Sequence, residues 1–323
     1  MSRQVIIYVS VILITVVNFM MWSNSNYGSG RLLQLYNGMS TWNWNYSKME
    51  MDLEEIRIKL DSELEMLSVM KQQMGKGEGG SFDSLFQKMK TFSMTQVPTR
   101  KQVLKQISKA AEFYLLYGSL APEVFCPVKV RVGSVGDGGK WVCNPWNVPN
   151  ETVLFSLGLN NWIGFEEEWQ RITHNRNILY GFDTAEQNSQ TRLTYSKIRG
   201  TSKKATISVS SNPSKDMYTI EDLAKLVNVS SVEILKIDIE GAELTCLVPF
   251  LEKYQVCQIY LEVHGGAPEH AKLLSEIAHL NYRLFSYEVN GFDLKACEYS
   301  FIHEQCVDKY EAMRIANFLD FKN

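Results

Sequence analysis

The sequence predicts an α/β fold with a mainly parallel sheet and a C-terminal antiparallel hairpin, preceded by a transmembrane helix and a helical stalk. Three observations predict it. From Pro122 onward, short apolar runs alternate with helical patterns, which is typical of parallel strands joined by helices. Near the end, two strand-like runs flank Asn290-Gly291, a turn signal. At the start, residues 5–22 are almost wholly apolar.

The N-terminal residues predict a single-pass type II membrane protein. Residues 1–4 are basic, and residues 5–22 are long enough to cross a bilayer as a helix. Bulky residues from Met20 to Trp22 stand where a cleavage site needs small ones, so we expect an uncleaved signal anchor. The positive-inside rule then leaves residues 1–4 in the cytosol. The rest of the chain is expected in the lumen of the Golgi or endoplasmic reticulum.

Sequons and cysteines agree with a secretory location. Asn-x-Ser/Thr sequons begin at Asn45, Asn150 and Asn228. The 6 cysteines are an even number and form no CxxC pair, which fits an oxidising compartment and argues against a zinc ribbon.

Two disulfides are predicted from the cysteine positions. We expect Cys126 to pair with Cys143, and Cys297 with Cys306. The alternative is that all 6 cysteines are small buried hydrophobic residues.

Residues 23–81 are predicted to be a linker followed by a coiled-coil-like stalk. Apolar residues recur in heptad spacing, interrupted at Glu63: Leu53, Ile56, Leu60, Leu67, Met70 and Met74. We expect either a homodimer through this stalk or a single amphipathic helix packed on the domain. Residues 82–120 are predicted to be a helical lead-in, broken into two helices at Pro98.

Residues 121–323 are predicted to form the α/β domain. The predicted strands are 152–157, 178–182, 204–209, 232–237 and 258–263, followed by the hairpin strands 282–288 and 296–303. The predicted helices include 220–226, 242–254 and 268–280. Five strand–helix units followed by an antiparallel hairpin is the layout of class I S-adenosylmethionine-dependent methyltransferases.

Acidic residues crowd the end of the fourth predicted strand. The apolar run from Ile234 stops at Asp238, and Glu240 and Glu243 follow closely. In an open α/β sheet, ligands bind at the carboxyl ends of the strands. Grouped carboxylates are costly unless cations or hydroxyl groups meet them. We therefore expect a ligand site at Asp238. Glu243 has the simpler alternative of a helix-start acid.

Two earlier strand ends favour a nucleotide-like cofactor. Gly158 follows the first strand and permits close backbone approach. Asp183 follows the second strand, where an acid binds ribose hydroxyls. A helix N-cap is the alternative role for Asp183.

The glycine-rich segment from Arg131 to Trp141 precedes the first strand. Its spacing does not fit a P-loop, since no Ser or Thr follows Lys140 and no helix pattern begins there. We interpret it as a tight loop or hairpin over the cofactor mouth, or as a structural turn.

The sequence resembles the FkbM-type methyltransferases. The segment Tyr218-Thr219-Ile220-Glu221-Asp222-Leu223, followed by residues 234–244, is similar to the family's "IDDL" and "lKiDvEGaE" signature. Residues 136–143 and the segments 155–158 and 164–166 are similar to the animal branch called methyltransferase-like proteins. The resemblance spans about residues 126–303 and implies a Rossmann-like class I fold.

The resemblance also implies a cofactor and the residues that bind it. It puts Gly158 and Asp183 at S-adenosylmethionine, with Glu166 and Asp238 approaching the same pocket. Ser156 stands where typical class I enzymes have an acid.

Two residues are the predicted catalytic groups. Asp238 and His264, each at a strand end, are candidate bases for a hydroxyl nucleophile. A structural, hydrogen-bonding histidine is the alternative for His264. No metal ligand is part of the main prediction; the alternative is that Asp238, Glu240 and Glu262 hold a divalent cation that acidifies the hydroxyl.

The functional prediction is an O-methyltransferase of the secretory pathway, acting on a glycan or other small hydroxyl acceptor. Such glycan acceptors are what the FkbM resemblance implies. The alternative is a membrane-tethered, non-catalytic binding module that kept the fold. Nucleic acid is not expected as a partner, because the net charge is −3 and no basic patch stands out.

Overall fold

The computed structural model describes residues 81–321. The predicted cytosolic tail, the anchor at 5–22 and the heptad stalk lie outside the described residues. Within 81–321, no helix has the length and apolarity needed to span a membrane.

The helical lead-in contains helices α1 (Ser81–Lys105) and α2 (Phe113–Ser119). The predicted break at Pro98 is wrong, because α1 continues through it. A proline removes one backbone donor from a helix, but burial of one helix face can outweigh that loss. Val97 and Leu104, two turns apart, are both buried in the main apolar core and hold the helix there.

The α/β domain follows. Its strands are β1 (Val124–Phe125), β2 (Lys129–Val132), β3 (Lys140–Cys143), β4 (Thr152–Leu157), β5 (Asn177–Asp183), β6 (Gly200–Lys204), β7 (Thr206–Ile207), β8 (Met217–Tyr218), β9 (Ile234–Ile237), β10 (Gln258–His264), β11 (Tyr282–Val289), β12 (Ala296–His303) and β13 (Met313–Arg314). Its helices are α3 (Gly164–Thr173), α4 (Ser189–Lys197), α5 (Ile220–Leu226), α6 (Glu243–Leu251) and α7 (Ala267–His279).

Seven strands form the central sheet, in the order β11-β12-β10-β9-β4-β5-β6. The strands from β10 to β6 run parallel, and β12 runs antiparallel between β10 and β11. The order reverses beside β4, so β4 and β9 start the two halves of the sheet and their ends flank the crevice where ligands bind in such folds. The predicted parallel sheet with a closing hairpin is confirmed.

The central strands are buried on both faces, as expected where helices cover a parallel sheet. In β9, Leu235 and Ile237 join the apolar cluster on one face and Ile234 joins the cluster on the other. Polar groups in these strands are therefore confined to positions near the strand ends and to a few buried sites.

The predicted strand at 204–209 is wrong in its bounds. The edge strand β6 ends at Lys204, and the chain then forms the short β7, which pairs with β8. The segment Gly200–Lys204 is polar, and a polar strand is tolerated at a sheet edge, where its side chains reach water.

One of the two predicted disulfides is confirmed. Cys126 and Cys143 are bonded. The predicted pair Cys297–Cys306 is wrong, because Cys306 bonds Cys257 and Cys297 is a free, buried residue of β12. The extended strand places Cys297 and Cys306 roughly 25 Å apart, at about 3.3 Å per residue. Cys257, at the start of the neighbouring strand, lies at the same end of the sheet as Cys306.

Candidate active site

The candidate site lies where β4, β9 and β10 end. Gly158, Asp238 and His264 occupy or directly follow these neighbouring parallel strand ends. The Asp238 amide donates to the Leu157 carbonyl at 3.0 Å, and this bond holds the end of β4 and the loop after β9 together. The structure thus brings three of the predicted site residues to one edge of the sheet.

Gly158 is required by the packing of the chain itself. Its φ is +82°, and a Cβ there would lie 1.7 Å from the carbonyl oxygen of Asp238. Its own carbonyl accepts a 2.6 Å hydrogen bond from the ammonium group of Lys236. The sequence predicted that another group comes close to the backbone at Gly158. In the structure that group is the backbone of the chain's own loop that carries Asp238.

Asp183 ties together the loops after β4 and β5. Its Oδ2 accepts from the Asn160 amide at 2.7 Å, and its Oδ1 accepts from the Ala185 amide at 2.8 Å. The N-cap of α4 is Asn188, so the N-cap alternative for Asp183 is wrong. Each carboxylate oxygen can accept a second bond, so Asp183 can still bind ribose hydroxyls.

Glu166 lies inside the protein. It is fully buried in the first turn of α3, and its Oε1 accepts a hydrogen bond from the Ser156 hydroxyl. Within residues 81–321, no group hydrogen-bonds its Oε2. The structure therefore does not bring Glu166 to the open edge with Gly158 and Asp183, and its contact with a cofactor stays a prediction.

The glycine-rich segment forms a hairpin, as one of the sequence interpretations predicted. Strands β2 and β3 pair in antiparallel register. Arg131 holds the intervening loop, because its guanidinium donates to the carbonyls of Ser134 and Gly136. The Gly133 amide donates to Glu168 of α3 at 2.6 Å. The hairpin is therefore fixed both to α3 and across the end of the sheet.

Lys140 of this hairpin is the cation that the crowded acids require, and sequence reasoning did not assign it a role. It is almost completely buried, and its ammonium group contacts Glu298 and, at 3.4 Å, Glu262. Burial lowers its pKa, but the carboxylates of Glu298, Glu262 and Asp238 outweigh burial and raise it. Lys140 therefore stays charged beneath the site.

The glutamates that face Lys140 belong to a row across three strands. Glu262 of β10 is opposite Glu298 of β12, and Glu298 is opposite Glu288 of β11. Directly opposed like charges destabilise a sheet. The hairpin compensates, with Lys140 at one end of the row and Arg131, 3.0 Å from Glu288, at the other. We call these three residues the glutamate row.

Asp238 has a raised pKa. Burial is the main cause, Lys140 and Lys236 oppose it, and nearby Glu262 adds to it. A carboxylate with a raised pKa is a stronger base than an exposed aspartate. Asp238 is thus suited to accept a proton from a hydroxyl group placed at this edge.

His264 lies in a group of carboxylates. Its Nδ1 is 3.4 Å from Glu243, and its Nε2 is 3.7 Å from both Glu240 and Glu262. The Glu243 carboxylate raises the pKa of His264 to about 9, against burial, with support from Glu262 and Glu240. His264 is therefore protonated at neutral pH, where it acts as a cation or an acid.

Glu243 does more than begin α6. It is fully buried, accepts from the Gly241 amide at 2.8 Å, and accepts from the His264 amide at 2.7 Å. It joins the loop after β9 to the end of β10 and so fixes the relative positions of Asp238 and His264.

A cation could also be held here. Asp238, Glu240 and His264 each offer one ligand atom, and these atoms lie within 4.8 Å of one another. The set differs from the predicted alternative, because His264 takes the place of Glu262. A metal ion and the His264 proton would compete for this position.

Sequence comparison identifies the domain. The chain matches the family described as a methyltransferase domain over residues 80–303, a range that includes every site residue described above. The protein belongs to this methyltransferase family. No curated protein matches the sequence. Among solved structures, it is similar to precorrin-6y C5,15-methyltransferase from Geobacter metallireducens GS-15, at 11% identity and a TM-score of 0.32, covering 49% of this chain and 83% of that one. A TM-score that low carries no argument about the site.

The open edge of the sheet has two sides. Gly158 follows β4 and Asp183 ends β5, on the side where a nucleotide-like cofactor binds in doubly wound sheets. The glutamate row lies under the hairpin, on the side of β10 and β12. Asp238 stands between the two sides, after β9.

Proposed function

We propose that the protein is an S-adenosylmethionine-dependent O-methyltransferase of the secretory pathway that acts on a glycan or another hydroxyl acceptor. One observation carries this proposal. Asp238, a half-buried carboxylate with a raised pKa, lies between the cofactor-side residues and a second, charged side of the same edge. That is the place where an acceptor hydroxyl would lose its proton.

The residues on the cofactor side fit S-adenosylmethionine. The half-buried Asp183 retains acceptor capacity for ribose hydroxyls, and the loop that begins at Gly158 supplies backbone groups for the methionine part. When bound, the cofactor supplies a strongly electrophilic methyl group, so the protein needs only to align the acceptor and remove its proton.

Asp238 and His264 have different roles in this reaction. Asp238 would accept the proton of an acceptor hydroxyl placed at this edge, and bound S-adenosylmethionine would supply the methyl group that the acceptor oxygen takes up. His264, protonated and 3.7 Å from Glu240 and Glu262, offsets the negative charge around Asp238 and opposes the rise of the Asp238 pKa. Lys140 and Lys236 also lower the pKa of Asp238 by their positive charges.

Several observations support a lumenal location for the domain. Two disulfides, Cys126–Cys143 and Cys257–Cys306, suit an oxidising compartment. The sequon residue Asn150 is exposed. With the apolar residues 5–22, we propose a type II protein of the Golgi or endoplasmic reticulum. A homodimer through the heptad stalk is part of the same proposal, as is the FkbM-type subfamily.

The direct test is binding followed by transfer. Calorimetry with S-adenosylmethionine and the full-length protein should show binding, and labelled cofactor should transfer methyl groups to hydroxyl acceptors. Asp238→Asn should keep cofactor binding within a few-fold and lower transfer by roughly 100-fold or more, the usual size of a lost general base.

Glu252→Gln, an exposed acid at the end of α6, is the matched control and should transfer at the wild-type rate. Absence of cofactor binding by the wild-type protein would refute the proposal. Equal transfer by Asp238→Asn would refute the role of Asp238.

A non-catalytic binding module is the second candidate function. Two observations favour it: Ser156 bonds the buried Glu166, and the chain's own Asp238 loop packs against Gly158. These contacts use groups that a cofactor loop could otherwise present. Failure to bind S-adenosylmethionine, together with retained acceptor binding, would favour the module.

A further inference from the structure

A cleft opens between the loop of the β2–β3 hairpin and the turn of the β11–β12 hairpin. Its volume is about 450 Å³, and the glutamate row forms part of its lining. It adjoins Asp238, because Glu262 lines the cleft and also acts electrostatically on Asp238. A molecule in this cleft could therefore present one of its groups to the candidate base.

The cleft is rich in carboxylates. Within the described residues, its lining includes five acids: Asp137, Glu262, Glu288, Asp293 and Glu298. Arg131 is the basic residue in the same lining, and Glu288 already holds it in a bidentate pair. Lys140 lies beneath and is shared by two glutamates. The lining thus carries more negative charge than its own cations neutralise.

The middle of the glutamate row has an unfilled position. Glu298 uses Oε1 to bind Lys140, while its Oε2 is buried and has no hydrogen-bond partner in the part of the chain that the structure describes. Its neighbours are better satisfied: Glu288 accepts from Arg131 and from the Trp141 indole at 2.7 Å. A buried carboxylate oxygen without a donor costs free energy.

Protonated His264 also serves the row, but its Nε2 lies 3.7 Å from Glu262, and among the described residues Lys140 is the cation that contacts Glu298. Burial raises the pKa of Glu298 to about 8 although Lys140 opposes it, so at neutral pH the side chain is mostly protonated and can share its proton with Glu262. A protonated amine would take the place of that proton and supply a positive charge together with several donors. A neutral hydroxyl would supply a hydrogen-bond donor but no positive charge.

The rim of the cleft adds an apolar surface. Phe292 and Val135, one from each hairpin loop, are almost fully exposed. An aromatic face beside a carboxylate suits a ligand that is both ring-shaped and cationic, because the ring packs on Phe292 and the cation is attracted to its face.

We propose that this cleft is the acceptor site and that it selects an acceptor with a free, protonated amino group, such as an amino sugar, which Glu298 binds. The inference rests on the proposed methyltransferase function and names the class of its acceptor. The amino group binds at Glu298, and a hydroxyl of the same molecule reaches Asp238.

The test compares two acceptors with the same sugar backbone, one with protonated amines and one with neutral acetamides. A glucosamine trimer with free amines and its N-acetylated counterpart are titrated into the full-length protein, and binding is measured by calorimetry. We expect the free-amine trimer to bind at least tenfold more tightly, which corresponds to about 1.4 kcal/mol. Equal affinities, tighter binding of the acetylated trimer, or binding of neither would overturn the inference.

Glu298→Gln keeps the size of the side chain and removes the charge. It should reduce the preference for the free-amine trimer to less than threefold, while Glu252→Gln keeps it. An unchanged preference in Glu298→Gln would also overturn the inference. A melting temperature within a few degrees of wild type shows that the variant is folded.

The two proposals fail in different ways. If S-adenosylmethionine binds and methyl groups pass to the acetylated trimer as readily as to the free amine, the inference is wrong and the methyltransferase function stands. If the free-amine trimer binds selectively but S-adenosylmethionine does not bind, the cleft is selective and the methyltransferase proposal is wrong.

Discussion

Glu123 and Glu298 are both buried glutamates on the β11–β12 half of the sheet, and their surroundings are opposite. Glu123 accepts from three backbone amides: Phe318 and Leu319 on Oε1, at 2.7 and 2.9 Å, and Leu284 on Oε2, at 3.2 Å. Glu298 has a lysine on one oxygen and no donor on the other among residues 81–321.

The difference in hydrogen bonding distinguishes a glutamate that stabilises the fold from one that is available to a ligand. Glu123 joins the C-terminal segment to the start of β11, and all its partners belong to the protein. Burial raises its pKa to about 7, against the backbone hydrogen bonds that favour the charged form. Glu298 is left partly unsatisfied at the wall of a cleft, which is the pattern expected of a group that a ligand completes.

The largest effect on stability is expected at Glu123. Glu123→Ala leaves three buried amides without acceptors, and each costs about 1–3 kcal/mol, so the free energy of unfolding should fall by roughly 4 kcal/mol. Urea denaturation measures this, with Glu252→Ala as the exposed control. A loss below about 1 kcal/mol would contradict the structural role of Glu123.

Lys140→Met should also destabilise the protein, by about 3 kcal/mol, because Glu262, Glu298 and Asp238 lose their shared cation. Adding Glu298→Gln to Lys140→Met should recover part of the loss, since one buried charge is then removed. Denaturation of the single and double variants tests the coupling. Additive losses would show that Lys140 and Glu298 do not interact as described.

A smaller, pH-dependent effect is expected at His264. Its pKa is raised from 6.5 to about 9 in the folded protein, so protonated His264 stabilises the fold fully below about pH 6.5. That contribution, on the order of 1 kcal/mol, is lost as the pH rises toward 9. The stability difference between wild type and His264→Gln should therefore shrink over this range. A constant difference would contradict the ion pairs described.

The smallest effect is expected from chelation. Protonated His264 already neutralises part of the charge of Asp238 and Glu240, so methyl transfer should change less than twofold after treatment with EDTA. Loss of activity, restored by a divalent ion, would show that a metal takes the place of the His264 proton.

Local patterns predicted much of the fold. Helix α5 has the predicted bounds, since Thr219 caps it by accepting from the Asp222 amide at 3.1 Å. Strand β4 also matches, because its apolar run ends at Gly158. Such elements depend on neighbours in sequence, which a sequence displays directly.

The missed features depend on distant residues. Lys140 and its partners Glu262 and Glu298 are 122 and 158 positions apart, and no local pattern joins them. In the sequence, the signal that could have pointed to a buried Lys140 was its position at the start of a run of apolar residues. The pairing of Cys257 with Cys306 likewise required the strand order, and the pKa of His264 required the position of Glu243.

The alignment of Glu262, Glu298 and Glu288 across three strands has a consequence for how the chain folds. Side chains alternate between the faces of a strand, so sliding β12 by one residue would move Glu298 to the opposite, apolar face. Lys140 would then lose Glu298 and keep only Glu262 of β10. The contact between Lys140 and Glu298 therefore favours the observed register of β12 over a register shifted by one residue.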